Sequence, residues 1–343
     1  MKLSTRIIKL GFAHGVFRIA RSEVRERENV VVELEHDGVV GVGEAAPIAY
    51  YDHEDAKAVV ETVEAAEKLM GDDPFLIEDI VARVAKAFPK SHAGVCAIDL
   101  ALHDLVGKLL GVPVYRLYGL NPQKTPVTSF TIDIDEPGVM AERAAAVNDF
   151  KVLKIKIGLG RDEETLKAVR DVTDLTIRVD ANTGWTREEA VEKINAIEKY
   201  DIEFVEQPIP PGDNEALRFI REHVNIPIMA DESAVALASL PGLVGCVDSI
   251  NVKLMKCGGL REAIRMIHFA HAHGIKVMLG CMSETSISIT AAAHLSPMVQ
   301  YADLDGNLMI DHDPYKGAEI DDGRLMLPDA PGLGVSERGD HVQ

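Results

Sequence analysis

Five short apolar runs in the middle of this chain each end in a charged residue, and those ends are almost evenly spaced. Residues 152–158 read Val-Leu-Lys-Ile-Lys-Ile-Gly, a buried strand stopped by glycine. Side chains alternate across a strand, so Lys154 and Lys156 share one face while Leu153, Ile155 and Ile157 share the other. Runs then end at Asp180, Glu206, Asp231 and Lys253. The steps from Lys156 are 24, 26, 25 and 22 residues, the length of one strand plus one helix, and helix-like sequence fills each gap. A charge at the C-terminal end of successive parallel strands is how a (β/α) barrel builds its active-site rim. Val179, Val205, Ala230 and Val252 precede or flank those charges and fall on the opposite face, toward an outer layer of helices. An edge strand with two protective lysines would explain Lys154 and Lys156 alone. It would not explain the four charged ends that follow.

The repeat extends both ways. Residues 127–133 predict a first strand, 276–281 a seventh and 299–304 an eighth, running into Asp303-Leu304-Asp305. No helix is expected after the eighth. The fold class is therefore α/β, a modified (β/α)7β TIM barrel over residues 121–310. Residues 1–120 read as strands first and helices after, with a hairpin turn at Asp37-Gly38 and helices at 54–70, 75–87 and 94–110. This predicts an N-terminal α+β capping domain, with residues 311–343 returning to pack on it.

Hydrophobic content of 47% in 343 residues is ample for a large core. A net charge of -19 argues against a nucleic-acid or anionic-membrane partner. The four cysteines form no CxxC pair, which fits a reduced, cytoplasmic protein. Lys9 interrupts the only apolar run near the start, so a signal peptide is not expected, and no stretch approaches the roughly 20 apolar residues of a membrane span. The expected partner is a small molecule, with the chain itself forming a homo-oligomer.

Strand number turns into geometry. In an eight-strand ring, strand two faces strand six, so Lys156 and Lys253 oppose each other across the mouth. Asp180, Glu206 and Asp231 stand together on the strands between. Two like charges ~4 Å apart interact by ~4 kcal/mol at an effective dielectric of about 20, so three adjacent acids call for a cation. Oxygen donors without His or Cys suit Mg²⁺ or Mn²⁺ rather than zinc. A divalent ion on a carboxylate offsets the charge that builds when the neighbouring α-proton leaves. A lysine must be neutral to take that proton, and a second ammonium nearby, Lys154 beside Lys156, favours this. Lysines on both faces of a planar intermediate allow removal on one side and return on the other, which is racemisation or epimerisation.

The strings LKIKIG, RVDANTGW, VEQP, ADES and NVKLMKCGG, in this order and spacing, resemble the muconate-lactonizing subgroup of the enolase superfamily, whose members pair Lys or His bases with Mg²⁺. The resemblance implies Lys156 and Lys253 as the acid/base pair, Lys154 as their helper, and Asp180, Glu206 and Asp231 as Mg²⁺ ligands, with Asn182 and Glu232 supporting them. The string ADLDG is similar to the Asp-x-Asp motif of dipeptide epimerases, which implies that Asp303 and Asp305 hold a substrate ammonium. Thr128-Ser129-Phe130-Thr131 resembles that family's first barrel strand, which implies substrate contacts from Thr128 and Ser129. Cys281 and Met282 are expected to line the pocket from their place at strand seven. Residues 12–25 would cover it; they contain Arg18, Arg21 and Arg25, while Ser22 stands where the Ala-Glu epimerases carry an arginine. The reading is a Mg²⁺-dependent dipeptide epimerase. Alternatives in the same subgroup are an o-succinylbenzoate synthase or muconate cycloisomerase type of lyase and an N-acylamino-acid racemase. A non-catalytic binding protein on this fold would have been marked by loss of a lysine or an acid, and none is missing.

Overall fold

A computed structural model describes residues 1–52 and 54–339. The chain opens with β1 (Lys2–Gly11), a small hairpin of β2 (Phe17–Ile19) and β3 (Ser22–Val24), then β4 (Glu26–His36) and β5 (Val39–Ala45). Strands β1, β4 and β5 make an antiparallel sheet. Asp37 and Gly38, at φ 51° and 77°, form the two-residue turn that suits right-handed strand twist. Helices α1 (Ala49–Asp52), α2 (Ala56–Met70), α3 (Ile77–Ala87) and α4 (His92–Leu110) follow. Asp55 caps α2 through the Ala58 N–H at 2.8 Å, and Gly111 ends α4 in the left-handed region. Gly43 lets β5 lie directly on α4, because a Cβ there would meet the Ala97 carbonyl oxygen at 2.0 Å.

The barrel strands are β6 (Ser129–Ile132), β7 (Val152–Lys156), β8 (Thr176–Asp180), β9 (Ile202–Glu206), β10 (Ile228–Ala230), β11 (Ser249–Lys253), β12 (Lys276–Gly280) and β13 (Tyr301–Asp303). They lie side by side in sequence order, and a bridge between Thr128 and Ala302 joins the last to the first. Phe204, Met229 and Met278, with Tyr301, fill the N-terminal end of the ring. Two residues further on, the same inward face presents Glu206, Asp231, Gly280 and Asp303. Val179, Val205, Ala230 and Val252 are fully buried in the main core.

Two connections differ from the regular pattern. After β10 the expected helix is replaced by a 3₁₀ segment, Leu237–Leu243. Pro241 lies inside it, and proline removes a donor and clashes with the preceding turn of an α-helix. After β13 a one-turn helix, Gly306–Met309, appears where none was expected. The C-terminal segment returns to the first 120 residues: the Leu333 N–H bonds Asp104 at 2.7 Å and Arg6 pairs with Glu337 at 3.0 Å. Its last four residues, 340–343, lie outside the described residues.

The cap is fastened to the barrel by buried acids. Glu44 of β5 accepts the Thr285 N–H at 3.0 Å and its hydroxyl at 2.8 Å. Asp99 of α4 accepts the Leu260 N–H at 2.6 Å, at the start of the helix Leu260–Ala272. Gly259, at φ 114°, makes the approach feasible, since a Cβ would lie 2.4 Å from Asp99 Oδ2.

Candidate active site

Strand register arranges the charged side chains in layers. Lys156, Asp180 and Glu206 are successive partners across β7, β8 and β9, and Lys253, Gly280 and Asp303 across β11, β12 and β13. Strands β7 and β11 are four places apart in a ring of eight, so Lys156 and Lys253 enter from opposite sides. Asp180, Glu206 and Asp231 each place a carboxylate oxygen within 4.8 Å of the others.

The two lysines lean onto the flanking acids. Lys156 Nζ lies 2.6 Å from Asp180 Oδ2, and Lys253 Nζ 2.8 Å from Asp231 Oδ2. Burial opposes the charge on Lys253, but Asp231 outweighs it and holds the pKa above the usual lysine value. Asp180 and Asp231 are also buried, yet the ammonium groups of Lys156 and Lys253 respectively carry them below the ordinary carboxylate range. Lys154 sits deeper, 2.7 Å from Asp303, 2.8 Å from Glu206 and 3.2 Å from Asp180. Burial again works against its charge, but Asp303, Glu206 and Asp180 keep it protonated well above the normal pKa. Lys154 is thus a fixed cation among acids as well as a neighbour of Lys156.

Glu206 has the opposite balance. Burial, and then the charge of Asp180, push its carboxyl up to about 7. Asn251 donates to its Oε1 at 2.8 Å, whereas the buried Oε2 meets the Lys154 ammonium at 2.8 Å as an ion pair. Three buried carboxylates with oxygens within 4.8 Å of one another, in a donor set without His or Cys, fit a hard divalent cation.

The supporting contacts are local. Asn182, in left-handed backbone at φ 42°, donates its N–H to Asp180 Oδ1 at 2.9 Å and its amide to Oδ2 at 3.2 Å. Glu232 pairs with Arg21, which reaches over from the β2–β3 hairpin. Three further groups escaped sequence reasoning. Gln207 accepts the Asp231 N–H at 2.9 Å through its side-chain oxygen. Lys256, fully buried, donates to Asp231 Oδ1 at 2.5 Å and to the Asn251 carbonyl at 2.9 Å. Asn251 itself stands two residues before Lys253 on the same face, and that parity was the available signal.

At the end of strand eight, Asp303 Oδ1 accepts the Ser129 hydroxyl at 2.6 Å and Asp305 Oδ2 accepts the Thr131 N–H at 2.6 Å. Burial and the Asp303 charge push the Asp305 carboxyl up to about 7. Ser129 therefore acts behind Asp303. Thr128 points the other way, since neighbouring strand residues face opposite sides, and its hydroxyl accepts the Leu304 N–H at 2.8 Å. Thr131 lines the pocket instead. Cys281 and Met282 also line it, and burial keeps the Cys281 thiol un-ionised.

These groups enclose a cavity of about 310 Å³. Its floor includes Lys154, Lys156, Lys253, Asp303 and Asp305; its roof is Phe17, Ile19, Val24 and Tyr50, with Ser22 and Arg27 at the edge of the cap.

Comparison with known proteins gives a consistent answer. Residues 139–340 match the enolase C-terminal domain-like family, and residues 3–119 match the mandelate racemase/muconate lactonizing enzyme N-terminal domain. An L-Ala-D/L-Glu epimerase of Bacteroides thetaiotaomicron is 43% identical over 98% of this chain and 88% of its own. A hydrophobic dipeptide epimerase of Enterococcus faecalis is 39% identical over 93% of this chain and 95% of its own. The crystal structure of an Enterococcus faecalis dipeptide epimerase, complexed with Mg and L-Leu-L-Tyr, superimposes with a TM-score of 0.92 at 37% identity, covering 98% of this chain and 99% of the other. With both halves matched and relatives this similar along nearly its full length, the chain belongs to the enolase superfamily, in the branch of mandelate racemase and muconate lactonizing enzyme.

Proposed function

We propose that the protein is a Mg²⁺-dependent dipeptide epimerase. The observation that carries this reading is the placement of Lys156 and Lys253 on opposite sides of the Asp180–Glu206–Asp231 cluster, with a second acidic pair, Asp303 and Asp305, at the end of strand eight. A dipeptide carries a carboxylate at one end and an ammonium at the other, so it complements both acidic groups at once when a divalent cation occupies the first. Mg²⁺ held by Asp180, Glu206 and Asp231 would supply Lewis-acid stabilisation of the substrate carboxylate, and Mn²⁺ meets the same donor preference.

The chain's own residues divide the remaining work. Lys156 and Lys253 hold and return the α-proton, one from each face. Lys154, kept charged by its acidic neighbours, sets a positive potential beside the carboxylate. Asn182 and Glu232 orient the groups around the ion, directly through Asp180 and through Arg21. Asp305, one of whose oxygens is engaged by Thr131, offers the other to the ammonium, with Asp303 braced by Ser129 beside it. Cys281 and Met282 pack against the N-terminal residue of the substrate. Incubation with a dipeptide panel in D₂O, read by mass spectrometry, tests the reading: epimerisation with one deuterium gained at a single Cα is expected, and absence of exchange from every dipeptide would overturn it.

A further inference from the structure

Lys256 stands behind the cavity wall, with no exposed side-chain surface at all. It lies on the one-turn helix Leu254–Cys257, three residues after Lys253, and Gly258 ends that turn in the left-handed region at φ 94°. Each of its three N–H donors is used: Asp231 Oδ1 lies at 2.5 Å, the Asp231 carbonyl at 2.6 Å and the Asn251 carbonyl at 2.9 Å. No donor remains for a substrate. Gripping both the carboxylate and the main chain of Asp231 fixes how that carboxylate is turned.

The other two acids of the cluster are held in the same manner. Asp180 Oδ1 accepts the Asn182 N–H at 2.9 Å, and Glu206 Oε1 accepts the Asn251 amide at 2.8 Å. Asn251 thus serves twice, its side chain holding Glu206 and its carbonyl holding Lys256. One oxygen of each carboxylate is taken by a donor fixed in place. The remaining oxygens, Asp180 Oδ2, Glu206 Oε2 and Asp231 Oδ2, meet the ammonium groups of Lys156, Lys154 and Lys253 at 2.6, 2.8 and 2.8 Å, which marks the side where positive charge belongs. Turning a carboxylate to offer both oxygens to one ion would break a buried, charge-assisted hydrogen bond.

We propose that Lys256, together with Asn251, is a positioning residue that limits Asp231 and Glu206 to one oxygen each, so that the cluster takes Mg²⁺ or Mn²⁺ and refuses Ca²⁺. This rests on the metal part of the function proposed above. Ca²⁺ takes about six to eight oxygens and often claims both oxygens of a carboxylate, whereas Mg²⁺ is satisfied by an octahedral set that includes several waters. Mg²⁺ also gives up its water reluctantly, so an unconstrained group of carboxylates has no reason to prefer it. The preference comes from what holds the carboxylates.

Calorimetric titration of the metal-free full chain with MgCl₂ alone and with CaCl₂ alone tests this without reference to turnover. The unaltered protein should bind Mg²⁺ at least about tenfold more tightly than Ca²⁺, the scale of one hydrogen bond to a charged group. Lys256→Met frees Asp231 Oδ1 and should shift that ratio about tenfold toward Ca²⁺, and Asn251→Leu, which frees Glu206 Oε1, should shift it the same way. Removing a lysine that acted only as a like charge would strengthen both ions alike, and removing one that acted only in packing would weaken both alike; neither moves the ratio. Ca²⁺ bound as tightly as Mg²⁺ by the unaltered protein, or an unchanged ratio in both variants, would overturn the proposal. So would a crystal structure of the unaltered, Ca²⁺-loaded protein with Asp231 Oδ1 or Glu206 Oε1 on the ion, which needs no variant to fold. Binding of neither ion would remove the metal assignment as well, while deuterium exchange with the dipeptide panel decides the epimerase reading separately.

Discussion

The Lys154 ammonium lies 2.7 Å from the Asp303 carboxylate, joining strand two to strand eight across the closure of the ring. Both side chains are almost completely buried, at 2% and 6% exposure, so neither charge is solvated if its partner is removed. Asp303→Asn should destabilise the protein. The loss should fall below the ~3–5 kcal/mol of an isolated buried pair, because Glu206 and Asp180 still flank Lys154. Urea unfolding measures it, and an unchanged midpoint would show the pair to be energetically idle.

Metal removal comes next. With Asp180, Glu206 and Asp231 sharing one small volume, chelation should abolish turnover and Mg²⁺ should restore it. Saturating Mg²⁺ at about a hundred times its Kd should also add about 2.7 kcal/mol of stability. Asp231→Asn should weaken the ion's binding in a calorimetric titration. Full activity in metal-free protein would refute the assignment.

Lys253 and Lys156 enter from opposite sides, so each should handle the α-proton of one epimer only. Lys253→Ala should abolish epimerisation yet leave exchange of one epimer's α-proton with solvent deuterium, through Lys156. Proton NMR in D₂O separates the two outcomes. Normal interconversion by the variant would eliminate a two-base mechanism.

Asp305 makes binding depend on pH. Its carboxyl is raised to about 7, so it is charged above that pH and neutral below. Its hold on a substrate ammonium is therefore present above pH 7 and lost as pH falls. With about one-tenth of Asp305 ionised one unit below its pKa, kcat/KM for a free dipeptide should drop about tenfold by pH 6. Asp305→Asn should remove this limb of the profile, and an N-acetylated dipeptide, lacking the ammonium, should never show it. The same limb in all three cases would assign it to another group.

Glu284, just beyond strand seven, offers a stability test. It accepts the Met282 N–H at 2.7 Å, and burial together with the Glu44 charge pushes its carboxyl up to about 8. An unfolded glutamate titrates near ~4.3, so between those values the folded chain holds a proton that the unfolded chain has released. This group's contribution to stability therefore falls as pH rises from about 4 to 8. Glu284→Gln should flatten that slope and stabilise the protein at pH 8 by on the order of 2–4 kcal/mol. Urea unfolding at pH 6 and pH 8 reads the difference, and an identical slope in the variant would reject the assignment.

Much of this architecture was legible because a barrel repeats. Even spacing located β7 to β11, and the alternation of Val179 with Asp180 or Val252 with Lys253 indicated which face turns inward. What spacing could not convey was side-chain reach. Thr128 and Ser129 read alike in a string of hydroxyl residues, yet the pleat turns one to the Leu304 backbone and the other to Asp303. Pro241 was a local warning that the barrel period overrode. Asn251 and Lys256 were hidden because attention fell on strand ends, while their partners, Glu206 and Asp231, are distant in sequence.

The Glu44 anchor has a consequence for how such a protein changes over generations. Glu44 and Asn29 root the sheet of the cap in the segment just beyond strand seven. The β2–β3 hairpin and the rim of β4 hang from that root over the mouth. Apart from Arg21, which holds Glu232 beside Asp231, substitutions there change what the mouth admits while the strands that carry Lys156 and Lys253 stay in place. A lineage built this way inherits its reaction from one stretch of the gene and part of its choice of molecule from another, and descendants can diverge in the second while the first stays still.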